Sequence, residues 1–319
     1  MATTPSPAPA TTPAQLIRRI AAVERILEAE ERSAKGKLRD SVAQIRSREP
    51  FCSFPVVFLP AVGQAIFVGD THGDSLAVSS IIRHERFEER LAKGEALYLV
   101  CLGDYADRGR EDLKNIEMLL ALKQRYPQSV YLLRGNHEEH ALGQYYGLLG
   151  SCIRRLGYDK GQLVFQRLNE FFEMLPAIVV CANGVVGVHG GVPIGDTHTL
   201  RAIGDDESLE ELRWNDPTEE VDRFVFNYRR GSHYLFGPQL FTDFMAGIGG
   251  TVMVRAHEYV AAGYKFLFDH RLVSIFSNGG TSPESGYRDF ILTPKYIRVD
   301  LSKRIERWSA ENVHDVPYG

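Results

Sequence analysis

Apolar residues along this chain fall into short runs separated by stretches of helical periodicity. The runs AIFV (65–68), ALYLVCL (96–102) and VYLL (130–133) are rich in β-branched and aromatic residues and read as buried strands. Between and after them, Ser75–Leu91, Asp112–Tyr126 and Ala141–Leu156 read as crossover helices. Strand–helix alternation of this kind implies a largely parallel sheet with right-handed connections. Upstream, Leu16, Ile20, Val23 and Leu27 recur at spacings of three and four from Gln15 onward, which predicts a helix with one face packed on a core. Gln162–Met174 predicts another helix, stopped by Pro176. The polar segment 196–229 predicts loops with short helices at Thr199–Ile203 and Leu209–Arg213. From Lys265 onward, KFLF, RLVSIFS, DFILT and YIRVDL predict mostly antiparallel strands that form a second sheet. The pattern predicts an α/β fold, a central two-sheet β-sandwich flanked by helices. With no internal repeat or interior linker, residues 15–319 read as one domain. The Pro/Thr/Ala-rich stretch 1–14 cannot build a core and is expected to be disordered.

Composition narrows the class. With 44% hydrophobic and 24% charged residues, the chain reads as an ordinary soluble globular protein. A formal net charge of −4 gives no support to a nucleic-acid partner, and no apolar run is long enough to predict a membrane span. None of the four cysteines, Cys52, Cys101, Cys152 and Cys181, forms a CxxC pair. Their reading as buried reduced thiols favours a reducing compartment, cytoplasmic or nuclear.

The polar residues that follow the strand runs carry the chemistry. GDTHGD (69–74), GDYADRG (103–109) and RGNHE (134–138) each begin where a predicted strand ends. Three strands would therefore deliver Asp70, His72, Asp104, Asp107, Asn136 and His137 to neighbouring tips, where open α/β sheets build their sites. Carboxylate, imidazole and amide oxygen together suit divalent manganese, iron or zinc. One such turn can simply satisfy its own backbone; three ligand-bearing turns in one place point to a metal. His189 in GVVGVHGGV and His257 in TVMVRAHEYV end two further apolar runs and complete the candidate set.

In this order, GDTHGD, GDYADRG, RGNHE, VHGG and RAHE resemble the signature of the PPP family of metal-dependent serine/threonine phosphoprotein phosphatases. SREPFCSFP (47–55), FFEMLPAIVV (171–180), LRWNDP (212–217) and LVSIFS (272–277) resemble its connecting segments, so the resemblance runs from residue 14 to about 290. It implies the calcineurin-like metallophosphatase architecture and hydrolysis of phosphoserine and phosphothreonine in protein substrates. It also implies two divalent ions, manganese foremost and iron or zinc as alternatives. Asp70, His72 and Asp104 would hold one ion and Asp104, Asn136, His189 and His257 the other, about 3.5–4 Å apart. A water between two such ions ionises near neutral pH. The resemblance further assigns His137 as general acid to the departing alkoxide, with Asp107 on its other ring nitrogen. Arg108 and Arg230 would bind the phosphate through their planar forks; Arg229 takes the place of Arg230 if the loop shifts by one. Arg134 and Arg255 read as supporting residues. No regulatory domain is recognisable.

The chain departs from the family pattern at three places. Asp74 and Glu258 stand where glutamine is common, and Ser277-Asn278-Gly279-Gly280 replaces a loop that usually bears a tyrosine over the site. The first adds negative charge beside the first metal. The last leaves that tyrosine without a counterpart in register, Tyr287 lying further along. Alternative readings are a dinucleoside-polyphosphate hydrolase with similar metal motifs and a non-catalytic phosphate-binding scaffold.

Overall fold

A computed structural model describes residues 11–195, 199–291 and 293–318. The three motif-bearing strands, Gln64–Val68, Leu97–Cys101 and Val130–Leu132, lie side by side in parallel. They belong to a five-stranded sheet that Lys295–Asp300 and Val313–Asp315 extend on the antiparallel side. A seven-stranded sheet runs in the order Phe51–Ser53, Val56–Leu59, Ile178–Cys181, Val185–Val188, Val252–Arg255, Leu272–Ile275, Tyr264–Leu267.

Side-chain alternation explains the layering. On Gln64–Val68, Ala65 and Phe67 enter the core between the two sheets with Val100, Val179, Val254 and Ile297. Ile66 and Val68 point the other way, into a core shared with Leu16, Ile20, Ile81, Leu120 and Phe172 of the covering helices. The outer face of the seven-stranded sheet buries Phe58, Val180 and Met253 against Phe241, Phe244 and Met245 of the helix Pro238–Ile248. Phe67 is fully buried, and truncating such a residue to alanine costs about 3–5 kcal/mol. A small third sheet, Asp216–Pro217, Tyr234–Phe236 and Phe224–Phe226, contributes Asp216 and Leu235 to the lining of a polar cavity.

Several expectations change in detail. The first helix, Pro13–Ala34, begins two residues early. Thr12 accepts from the Gln15 amide, Gln15 accepts from Thr12, and Pro13 fills the first turn, a capping box readable in TPAQ. Only residues 1–10 of the expected tail lie outside the described residues. The crossover helix expected at Ser75–Leu91 breaks into Ser75–His84 and Phe87–Ala92 at Arg86, whose φ is 51°. The one at Ala141–Leu156 breaks into His140–Tyr146 and Leu148–Leu156 at Gly147. Residues 200–203 form turns instead of a helix, while Asp206–Trp214 is helical. The polar segment's residues 196–198 lie outside the described residues.

The tail expectation needs a larger correction. Tyr264–Leu267 and Leu272–Ile275 join the seven-stranded sheet, whereas Lys295–Asp300 pairs with Gln64–Val68. DFILT forms no strand at its described residues, Leu292 lying outside them. Among the described residues no helix is long and apolar enough to cross a membrane. All four cysteines are buried and free.

Candidate metal centre

The carboxyl ends of the three parallel strands place Asp70 and His72, then Asp104 to Arg108, then Asn136 and His137, at one edge of the five-stranded sheet. His189 and His257 follow the parallel strands Val185–Val188 and Val252–Arg255 of the other sheet. The sheets meet here: Asp70 bridges Phe276, and the Ser277 hydroxyl accepts from Gly69 and donates to the Lys295 carbonyl. Gly103, at φ 116°, lets the second and third motifs touch, since a Cβ there would stand 2.5 Å from the Gly135 backbone. His72, Asp104, Asp107, Arg108 and His257 all have positive φ. Such left-handed conformations are costly for residues with a Cβ and gather at functional sites.

The rings of His72 and His189 are each aimed by a hydrogen bond on the far side. His72 donates from Nδ1 to the Ala106 carbonyl at 2.8 Å, turning Nε2 toward Asp70 and Asp104 at 3.7 and 3.6 Å. His189 donates from Nδ1 to the Leu102 carbonyl at 3.0 Å, leaving Nε2 3.3 Å from Asp104 Oδ1. His257 presents Nδ1, and both it and His189 Nε2 lie 2.9 Å from the Asn136 oxygen. Two groups result, His72–Asp104–His137 and Asp104–His189–His257, with Asp104 common to both. His137 belongs to the first by distance, but its Nδ1 is taken by Asp107, and Arg108 stands 3.3 Å from its Nε2.

These residues fit divalent cations. Asp70 Oδ2 is buried without a hydrogen-bond partner, an arrangement that costs several kcal/mol for an isolated charge. The Asn136 oxygen meets ring nitrogens and Asp104 oxygens; rotating the amide would turn N–H groups toward them instead. A cation at the meeting point satisfies the oxygen and both ring lone pairs as they stand. Burial, then the charge of Asp104, pushes the Asp70 carboxyl up to about 6. Burial holds His72 down to about 3 and His257 well below the ordinary range. Both rings are therefore neutral donors at pH 7.

Beside this centre, His137 Nδ1 donates to Asp107 at 2.8 Å, and the other Asp107 oxygen accepts from the Leu148 amide. Burial alone would depress the His137 pKa, but the Asp104 charge and the Asp107 hydrogen bond outweigh it and raise it. Arg108 reaches His137 Nε2 at 3.3 Å, stacks over Tyr146, and donates to the Tyr287 hydroxyl at 2.6 Å. Arg230 and Arg229 both line the same cavity of ≈ 340 Å³. Arg230 is held by a two-pronged ion pair with Asp216. The structure thus brings together all ten predicted residues: Asp70, His72, Asp104, Asp107, Arg108, Asn136, His137, His189, Arg230 and His257.

Sequence reasoning missed two supports. Asp216, within WNDP, binds both Arg230 and the fully buried Arg255. Burial opposes its charge, but His257, Arg255 and Arg230 drive its pKa down. Glu138 accepts from the amides of Asp104, Tyr105 and Gly135, tying two motifs together; its place in RGNHE was the signal that could have found it. Tyr287, out of register in the sequence, takes the place of the absent tyrosine. Its ring stacks on His72 at 5.6 Å and meets Phe276 edge-on, so a tyrosine does overhang the site, delivered by the longer loop. Asp74 also differs from expectation. Its carboxylate caps the helix Ser75–His84 and accepts from Ser282 and Tyr318, while Glu258 pairs with Arg255.

Comparison with known proteins agrees with this geometry. The sequence pattern of the calcineurin-like phosphoesterases matches residues 64–261. A catalytic chain of protein phosphatase 2A from Dictyostelium discoideum is 31% identical over 249 residues, 76% of this chain and 74% of that one. Serine/threonine-protein phosphatase BSL2 of Arabidopsis thaliana is 31% identical over 268 residues, 77% of this chain, which spans only 26% of that longer protein. A Saccharomyces cerevisiae serine/threonine phosphatase, described as similar to human PP5, superposes with a TM-score of 0.71 at 21% identity. It covers 96% of this chain and 89% of its own, and shares the fold. The chain belongs to the calcineurin-like phosphoesterase family, with the PPP serine/threonine phosphatases among its members.

Proposed function

We propose that this chain hydrolyses phosphoserine and phosphothreonine in protein substrates. The observation that carries the reading is one cavity holding two ligand groups joined at Asp104, with a His137–Asp107 pair and Arg108 on its wall. Asp70, His72 and Asp104 would hold one divalent ion and Asp104, Asn136, His189 and His257 the other, manganese being the proposed metal. When bound, the pair supplies Lewis acidity, lowering the pKa of water and offsetting phosphate charge.

The chain's own residues do the rest. Arg108 and Arg230 grip the non-bridging phosphate oxygens, which sets the phosphorus in line with the leaving oxygen. His137, kept protonated by Asp107, gives its Nε2 proton to the departing serine or threonine oxygen. That transfer matters because an alkoxide is a poor leaving group. Asp216 holds Arg230 in place, and Arg255 holds Asp216. Phosphoproteins are the proposed partners and the cytoplasm the proposed location.

A panel of p-nitrophenyl phosphate, phosphoserine and phosphothreonine peptides, and a dinucleoside polyphosphate tests the reading. Peptide hydrolysis well above dinucleotide hydrolysis is expected; the reverse order overturns it.

A further inference from the structure

The small third sheet ends in an unpaired strand beside the cavity. Phe224–Phe226 pairs with Tyr234–Phe236 on one side and, among the described residues, with nothing on the other. The amide of Gly237 bonds the Arg223 carbonyl, and that of Asn227 bonds the His233 carbonyl. Residues 223, 225 and 227 therefore turn their backbone groups inward. By the alternation of an antiparallel pair, Phe224 and Phe226 turn theirs toward the open edge. The Phe226 carbonyl already accepts from Tyr228, which leaves both N–H groups and the Phe224 carbonyl available.

The two faces of this strand differ. Asn227 and Leu235 line the catalytic cavity, and Val225 pairs with Leu235 on that side. The opposite face carries Phe224 and Phe226, exposed at 42% and 39%, packed edge-on around Tyr234, with Tyr228 against Phe226. Exposed aromatic edges of this kind invite a further strand. The chain then runs from Phe226 through Asn227 and Arg229 to Arg230 in the phosphate site. An occupant of the edge is thus continuous with the cavity.

We propose that the occupant is the substrate itself: an extended segment flanking the phosphorylated residue adds as a fourth strand along Phe224–Phe226. Backbone hydrogen bonds hold it, and every second side chain, aromatic or aliphatic by preference, packs on Phe224 and Phe226. This rests on the phosphoprotein reading above and adds the means by which a flanking sequence is held.

The test compares phosphopeptides of increasing length with p-nitrophenyl phosphate. Extending the peptide on one side should raise kcat/KM by roughly ten- to a hundredfold. Phe226→Pro removes an outward N–H without touching the ladder and should abolish most of that gain, while Phe226→Ala, which keeps the N–H, should abolish only part. Hydrolysis of p-nitrophenyl phosphate should not change in either variant. On the wild-type enzyme, N-methylation of alternate peptide residues should weaken turnover with a period of two, a readout independent of how the variants fold. A flat length series, or N-methyl effects without that period, overturns the proposal. A mass that doubles with concentration, and is monomeric in Phe226→Pro, would overturn it by giving the edge to a second copy. If p-nitrophenyl phosphate is cleaved but no phosphopeptide of any length is, the phosphoprotein reading fails first and this proposal with it.

Discussion

The Tyr287 hydroxyl accepts a 2.6 Å hydrogen bond from the Arg108 guanidinium, so the residue proposed to grip phosphate is already engaged by the loop above it. Phosphate and tyrosine compete for the same fork. Tyr287→Phe should therefore lower KM severalfold, within the ~0.5–1.5 kcal/mol of one hydrogen bond, whereas Arg108→Lys should raise it. Steady-state kinetics on a phosphopeptide checks both; a higher KM in Tyr287→Phe means that the hydroxyl contacts substrate instead.

His137→Asn should reduce turnover of phosphoserine peptides by roughly 10²–10⁴-fold. Aryl phosphates should suffer less, because a phenolate leaves without needing a proton. Comparing the two substrates separates loss of a proton donor from general damage, which would reduce both equally.

Asp104→Asn should lower metal content at both positions, because that carboxylate belongs to both ligand groups. Elemental analysis after dialysis gives the stoichiometry directly. Restoring metal to dialysed wild type should raise its stability by about 2.7 kcal/mol at a hundred times the dissociation constant, visible as a higher Tm that Asp104→Asn fails to show.

Glu211 supplies a pH-dependent prediction away from the metals. It is buried, with one oxygen accepting from the Ile194 amide and the other without a partner. Burial, and after it Glu207, Asp205 and Glu210, pushes its carboxyl up to about 7 despite the Ile194 bond. Between the ordinary value of 4.5 and 7 the folded chain holds a proton that the unfolded chain releases. Stability therefore declines as pH rises through that window and levels off above it. Glu211→Gln should raise Tm by about 2–4 °C at pH 8 and leave it unchanged near pH 4. An equal shift at both values would show that ionisation is not involved.

Much of the site was legible because its residues sit in short motifs at strand ends, where local sequence dictates local geometry. Asp70, His72, Asp104, Asn136 and His137 needed only the strand pattern to be placed together. Asp216 and Tyr287 were harder, since their importance comes from contacts with Arg255 and Arg108 that no local pattern encodes. The tail shows the same limit. Its strands Leu272–Ile275 and Lys295–Asp300 look alike in sequence, yet they enter different sheets. That choice depends on which strand edges remain open. The early start at Pro13, by contrast, was encoded locally in Thr12, Pro13 and Gln15.

The pairing of Lys295–Asp300 with Gln64–Val68 also sets an order of events during synthesis. The first three motifs leave the ribosome well before His189 and His257, and the His257 amide reaches Asp70 across 187 residues. Contacts of such long range close late and slowly. Until they close, Gln64–Val68 keeps a bare edge and Asp70 and Asp104 face each other unbalanced, the condition in which nascent chains aggregate. Divalent ions or a holding chaperone should therefore matter most while this chain is being made.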